Sequence, residues 1–322
     1  MLPPRPMRTR WILIALLAGC HVEAPEPAPR PTTEGPSAEA QVAEALVEEG
    51  TTTSAPSPTA DATPPTPPEA APPDTLPRGP RGEPVSVDSF RVLVAAASAQ
   101  SGGAAVELLH AGSFHGDEVD AETGERWQGL YPNGDGFEVR ALILQVETVY
   151  DEMVDGLGDP PTGRRVTTPF STADRTGVWD DAVVLFQRGR PVPSGAVDAS
   201  FHGYEPLQSG YRVLSLGDQG YELAVVEGPE VPNEWIEGPY RPERVLTLSD
   251  GLAFQPLSHL VDRDGGEAVL LWAGDLDGDG RLDLLTDESD HYNLSRTTLY
   301  LSSHAAPGAL VGRAGRWETT GC

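Results

Sequence analysis

The chain has 322 residues and a formal net charge of −27, with 49 acidic side chains against 22 basic ones, all of them Arg. A surface this acidic excludes nucleic acid as a partner, since phosphate binding relies on cationic groups that displace counterions, and it excludes electrostatic docking on anionic lipid. It suits a body outside the cell, where divalent cations are plentiful.

Arg5, Arg8 and Arg10 form a basic region, residues 11–18 an apolar one, and Leu17-Ala18-Gly19-Cys20 closes it. The apolar stretch is far shorter than the roughly 20 residues of a spanning helix, so residues 1–19 read as a removed export signal. Met7 is an alternative start that keeps Arg8 and Arg10 ahead of the apolar run. The Leu-Ala-Gly-Cys ending resembles the lipobox of bacterial lipoproteins. That resemblance implies cleavage before Cys20, diacylation of its thiol and acylation of the new N-terminus. Two or three acyl chains would hold the protein stably on a lipid bilayer. His21, not Asp, follows the cysteine; by similarity to the sorting rule of enteric bacteria this implies the outer membrane. With Cys20 lipidated, the one remaining cysteine, Cys322, has no intramolecular partner. It is either an inert frayed terminus or a thiol able to pair between molecules.

Residues 20–84 read as the lipidated cysteine and a linker. Half of the 32 prolines fall there among Ala, Thr, Glu and Ser, and the only aromatic ring is that of His21. Too few large apolar groups are present to offset the entropy of ordering, so the segment is expected to be a disordered, partly polyproline-II tether. Residues 37–49, ending at Gly50, have helix-forming composition but would be marginal alone.

Residues 85–322 are long enough for one large domain or two small ones, with a boundary near residue 200. Strand-like runs recur at 90–94, 105–109, 137–146, 211–216, 221–226 and 244–248, punctuated by Gly, Asp and Pro. Asp218-Gln219-Gly220 reads as a hairpin loop. No long helical period appears. The expected fold is mostly β: irregular antiparallel β structure carrying one metal-loop hairpin.

That hairpin is Asp275-Leu276-Asp277-Gly278-Asp279-Gly280-Arg281-Leu282-Asp283, flanked by strand-like runs at 269–272 and 282–285. Asp275, Asp277, Asp279 and Asp283 occupy positions 1, 3, 5 and 9 of a calcium loop. Arg281, at position 7, would supply its backbone carbonyl. Four carboxylates within nine residues repel one another unless a cation sits among them. Thr286 stands at position 12, where an EF-hand has Glu, and the flanks are strands, so this is not an EF-hand. Strand, loop and strand resemble an FG-GAP repeat of integrin-like β-propellers over residues 267–303, with residues 298–301 as the next strand. The resemblance implies one bound Ca²⁺ on Asp275, Asp277, Asp279 and Asp283. The Phe-Gly/Gly-Ala-Pro element is absent and there is one good copy, so a propeller is not expected.

Residues 287–293 follow, reading either as a binding surface, with Asp287 or Asp290 completing the metal shell, or as a polar connection. His115-Gly116-Asp117-Glu118 and Asp262-Arg263-Asp264-Gly265 lack ligand spacing and read as solvated turns. No HExxH or GxSxG motif occurs, and Asn133-Gly134-Asp135-Gly136 does not open a helix as a phosphate loop would. Trp127, Trp179, Trp235, Trp272 and Trp317 read as core aromatics more readily than as a sugar platform. Two functions remain: a calcium-stabilised, non-catalytic β domain binding an unknown protein or glycan partner, or a hydrolase of envelope polymer using converging Asp and Glu carboxylates.

Overall fold

The computed structural model describes residues 77–100, 105–134, 136–170, 182–188, 192–207, 210–231, 240–262 and 268–320. The signal, Cys20, residues 21–76 of the tether and Cys322 lie outside the described residues; the last tether residues, 77–84, instead belong to the folded body, where Arg78 pairs with Glu227 and Arg81 bonds Glu222. Among the described residues, one helix is found, α1 (Val87–Ser98), with two 3₁₀ turns at Gly116–Glu118 and Ser302–His304. The strands are β1 (Val106–Leu109), β2 (Gly112–Phe114), β3 (Arg126–Asn133), β4 (Gly136–Ile143), β5 (Gln145–Val149), β6 (Gly163–Thr167) and β7 (Val184–Arg188). They continue with β8 (Gly195–Val197), β9 (Ala199–Pro206), β10 (Gly210–Leu216), β11 (Gln219–Glu227) and β12 (Glu243–Ser249). The last are β13 (Phe254–Val261), β14 (Ala268–Gly274), β15 (Asp283–Glu288), β16 (Leu294–Leu301) and β17 (Gly312–Thr320). The fold is mostly antiparallel β, as the sequence led us to expect.

Among the described residues four sheets form, with strand orders β1-β7-β3-β4-β8, β10-β11-β12-β13, β17-β16-β15-β14-β9 and β2-β6-β5. The sheet containing β14 is the middle layer. One of its faces packs Val269, Leu271, Leu285 and Leu299 against Val106, Leu130, Val184 and Phe186 of the first sheet. Its other face packs Leu270, Leu284 and Tyr300 against Leu223, Leu246 and Leu248 of the second. A strand buried on both faces has no polar side to show, so β14 is buried along its whole length and reads as an unbroken apolar run. The register slips between Leu270 and Trp272, and this bulge turns Leu271 and Trp272 toward the same core. The far face of the first sheet holds Trp127, Tyr131, Leu142 and Leu185 against Val166 of β6.

Three strand and turn expectations are corrected. The run 90–94 is not a strand but the middle of α1. Ser86 caps the helix by accepting the Ser89 backbone N–H, and Asp88 sits in the first turn, where the helix dipole favours a negative charge. Phe90 and Ala97, one helical face apart, are buried against Val226 and Val245, with Leu93 and Val94 packed beside them. Local helix signals and this face outweigh the β propensity of the valines. The run 137–146 is two strands. Leu144, fully buried, breaks it by bonding Glu125 and Gly124 through its backbone, and the chain crosses from the first sheet to the small one there. The hairpin expected at 218–220 turns one residue earlier. Leu216 pairs with Gln219, so Gly217, at φ +55°, and Asp218 form the two-residue turn.

Candidate functional site

The acidic loop joins β14 to β15, whose end residues Gly274 and Asp283 are register partners. Gly274 is needed on space alone, because a Cβ there would lie 2.3 Å from the Asp198 carbonyl oxygen. The next residue donates its backbone N–H to that same oxygen at 2.8 Å, tying the loop to the strand edge. Two leucines inside the loop face inward. Leu276 belongs to one core and Leu282 to the other, each no more than 2% exposed. The loop is therefore anchored on both faces of the middle sheet and is not a free acidic turn.

Asp275 organises the bend. Its Oδ1 accepts the N–H groups of Gly278 and Asp279 at 2.8 and 3.0 Å, and its Oδ2 accepts that of Gly280 at 2.8 Å. Gly278 and Gly280 stand at φ +76° and +79°, a region costly for any side chain. Asp283 is wholly buried. Its Oδ2 accepts the N–H groups of Leu276 and Asp277 at 2.7 and 3.3 Å, and its Oδ1 that of Ser302 at 2.7 Å. Loss of solvation, and then the charge of Asp277, push its carboxyl up to about 8, against the pull of those three backbone donors.

Asp275, Asp277 and Asp283 each bring an oxygen within 4.8 Å of the others, a grouping that can hold a metal ion. The donors are all hard carboxylate oxygens, one of them inside the protein, and a hard cation fits that set. Asp279 stands apart from the trio: both its oxygens accept the Ser302 hydroxyl at 2.8 Å, and one accepts the Arg281 N–H at 2.9 Å. The Arg281 guanidinium donates to the Leu310 carbonyl at 3.0 Å. Ser303 donates its hydroxyl to Asp277. The two serines arrive from the 3₁₀ turn after β16, about twenty residues away in sequence, so no local spacing points to them. The pairing of Leu284 with Tyr300 carries them there.

The 287–293 segment does not complete this centre. It begins at the far end of β15, where Asp287, four residues beyond Asp283, is about 13 Å away at about 3.3 Å per residue. Asp287 there accepts the Ser295 hydroxyl and the Arg296 N–H, each at 2.9 Å, and Asp290 pairs with the Arg296 guanidinium at 3.3 Å. Between them Glu288, 1% exposed, accepts Tyr300 Oη at 2.6 Å and Ser258 Oγ at 2.8 Å and pairs with Arg316.

The turn at 115–118 is also built rather than solvated. His115 Nδ1 lies 2.5 Å from Asp151 Oδ2. The hydrogen bond to Asp151 raises the imidazole above its ordinary value, and the same bond lowers the Asp151 carboxyl. Glu118 accepts the His115 N–H at 3.2 Å, the Thr319 hydroxyl at 2.6 Å and the Thr320 N–H at 2.5 Å, joining the turn to the end of β17. The histidine and Asp151 line a cleft of about 650 Å³ between the β2-β6-β5 sheet and the starts and ends of β16 and β17. Of the tryptophans, Trp127 and Trp272 are core, Trp317 packs at the edge of two cores, and Trp179 and Trp235 lie outside the described residues. Compared with protein-family models, with curated proteins and with solved structures, the chain matches none.

Proposed function

We propose that this chain is a calcium-stapled, non-catalytic β domain held on the outer membrane by an acylated Cys20, with a binding or structural role. The observation that carries the metal reading is the wholly buried Asp283 grouped with Asp275 and Asp277. A desolvated carboxylate beside two others is costly without a cation, and divalent calcium, which takes six to eight oxygens, answers that cost. Asp275, Asp277 and Asp283 would hold the ion, which supplies charge neutralisation and closes the β14–β15 hairpin. The non-catalytic reading is supported by the acids of the His115 cleft: of its three, Asp151 and Glu118 are engaged by His115, Thr319 and backbone N–H groups, which leaves Glu152 alone open to a ligand. A hydrolase of envelope polymer would need two carboxylates available to substrate.

Thermal unfolding in millimolar calcium, in magnesium and in chelator tests the staple. At a dissociation constant near 10⁻⁴ M the ion adds about 1 kcal/mol by mass action, and magnesium, with its tighter octahedral demand, adds less. Asp277→Asn should abolish the calcium increment. Asp279→Ala separates two arrangements: an increment retained keeps Asp279 on Ser302, and an increment lost means that it swings onto the ion. Equal melting of the unsubstituted protein in calcium and chelator sinks the proposal.

A further inference from the structure

The cleft lined by His115 and Asp151 has no role in the metal centre, and its chemistry points elsewhere. At about 650 Å³ it falls in the range of roughly 300–1,000 Å³ typical of small-ligand sites. Two tyrosines stand at its lining with much of their surface open: Tyr150 is 50% exposed and Tyr292 73%. Neither ring is loose. Tyr150 Oη donates to the Asp155 carbonyl at 2.6 Å, and Asp155 is itself held by Thr162 and the Asp151 N–H. The Tyr292 ring lies 4.5 Å from that of His291, tilted by 33°. Aromatic faces left in water yet restrained by their neighbours offer contact area at little further entropic cost.

The lining carries three carboxylates, Glu118, Asp151 and Glu152, against the Arg165 guanidinium and the His115 imidazole. Asp151 and His115 form one pair, Glu118 is engaged by β17, and Glu152 and Arg165, both exposed, oppose each other in sign. With Asn293, the exposed Glu152 and Arg165 offer both donors and acceptors to a ligand. Lined by more carboxylates than cations, on a chain of charge −27, the cleft disfavours a polyanion, and with Asp151 and Glu118 already engaged only Glu152 is left to meet a cation. A pyranose ring matches it: one face of C–H groups to lie on a tyrosine, and a rim of hydroxyls that both donate and accept.

We propose that this cleft binds a neutral glycan segment, with Tyr292 and Tyr150 as stacking platforms and Glu152, Arg165 and Asn293 reading its hydroxyls. The His115–Asp151 pair is a positioning element that holds the 150–155 turn against the 3₁₀ turn. The proposal gives the binding role above its ligand class and rests on the non-catalytic half of that reading, not on calcium.

The test is calorimetric titration of the full chain with neutral tetrasaccharides (chitotetraose, cellotetraose, maltotetraose and mannotetraose), with tetragalacturonate and a neutral tetrapeptide as comparisons, followed by chromatography of the sugars. At least one neutral tetrasaccharide should bind and come back intact, in calcium and in chelator alike. Tyr292→Ala, on an exposed turn where folding is indifferent to it, should weaken that binding at least about fivefold, and Tyr150→Ala similarly, with circular dichroism unchanged. No binding of any neutral tetrasaccharide, binding indifferent to both substitutions, or preference for the peptide or the anionic sugar overturns the proposal. Cleaved sugar would keep the glycan site and overturn the non-catalytic reading instead.

Discussion

Glu288 and His110 meet burial in opposite ways. Glu288 keeps its carboxylate inside the protein by filling it with partners: Tyr300, Ser258, Thr286 and the Arg316 guanidinium. Its charge in turn raises Tyr300 well above the ordinary phenol value, after desolvation as the larger cause. His110, 6% exposed, has the Thr297 hydroxyl at 2.9 Å and a tilted Trp317 ring. Burial lowers it to about 4, with the more distant Asp287 pulling weakly the other way. The unfolded chain therefore takes up a proton near pH 6.5 and the folded chain only near 4. Between those values the unfolded state binds more protons, so stability rises with pH and is lost on acidification, by about 3 kcal/mol across the window. We expect urea denaturation at pH 7 and pH 5 to show a loss that His110→Gln reduces by about 2 kcal/mol. Equal losses in the two proteins would remove His110 as the cause. His115 works in the other direction: its raised value contributes stability in acid that disappears as pH climbs through it.

The strands and turns were legible wherever their signals were local. The Asp-Gly periodicity of residues 275–283 is enough to place a tight loop between two strands, because the carboxylate of Asp275 and the backbone freedom of Gly278 and Gly280 close the bend within a few residues. What local spacing does not reveal is which loop carboxylate the fold buries. Asp283 is enclosed because Ser302 is brought over it by the β15–β16 register. The helix shows the opposite failure. Its valines resemble a strand, while the capping Ser86, the first-turn Asp88 and the Phe90 to Ala97 spacing already specify α1. Ser86→Ala should cost about 1 kcal/mol in denaturant unfolding and Ser86→Asp almost nothing. A segment packed as a strand would feel neither change.

At the level of the assembled chain, the anchor is the testable part of the localisation proposal. Cys20→Ser should move the protein from the membrane pellet to the soluble fraction and abolish labelling by a fatty-acid probe. Continued labelling at the membrane would sink the lipoprotein reading. The body itself, as layered here, depends on two cores that share one sheet. The unbroken apolar run of β14 is the trace of that sharing in the primary structure, since both faces must leave water.

Composition, charge, the mostly β fold and the acidic hairpin are all determined by residues close together along the chain: turn chemistry, β-branched runs and carboxylate spacing act over a few residues and need no tertiary partner. The division into four sheets, the crossing at Leu144, the burial of Asp283 and the His115–Asp151 cleft were decided only by tertiary structure. Each joins residues far apart in sequence, 36 positions for the last pair, and such meetings depend on register and on which faces lose water, quantities that no local pattern of side chains encodes.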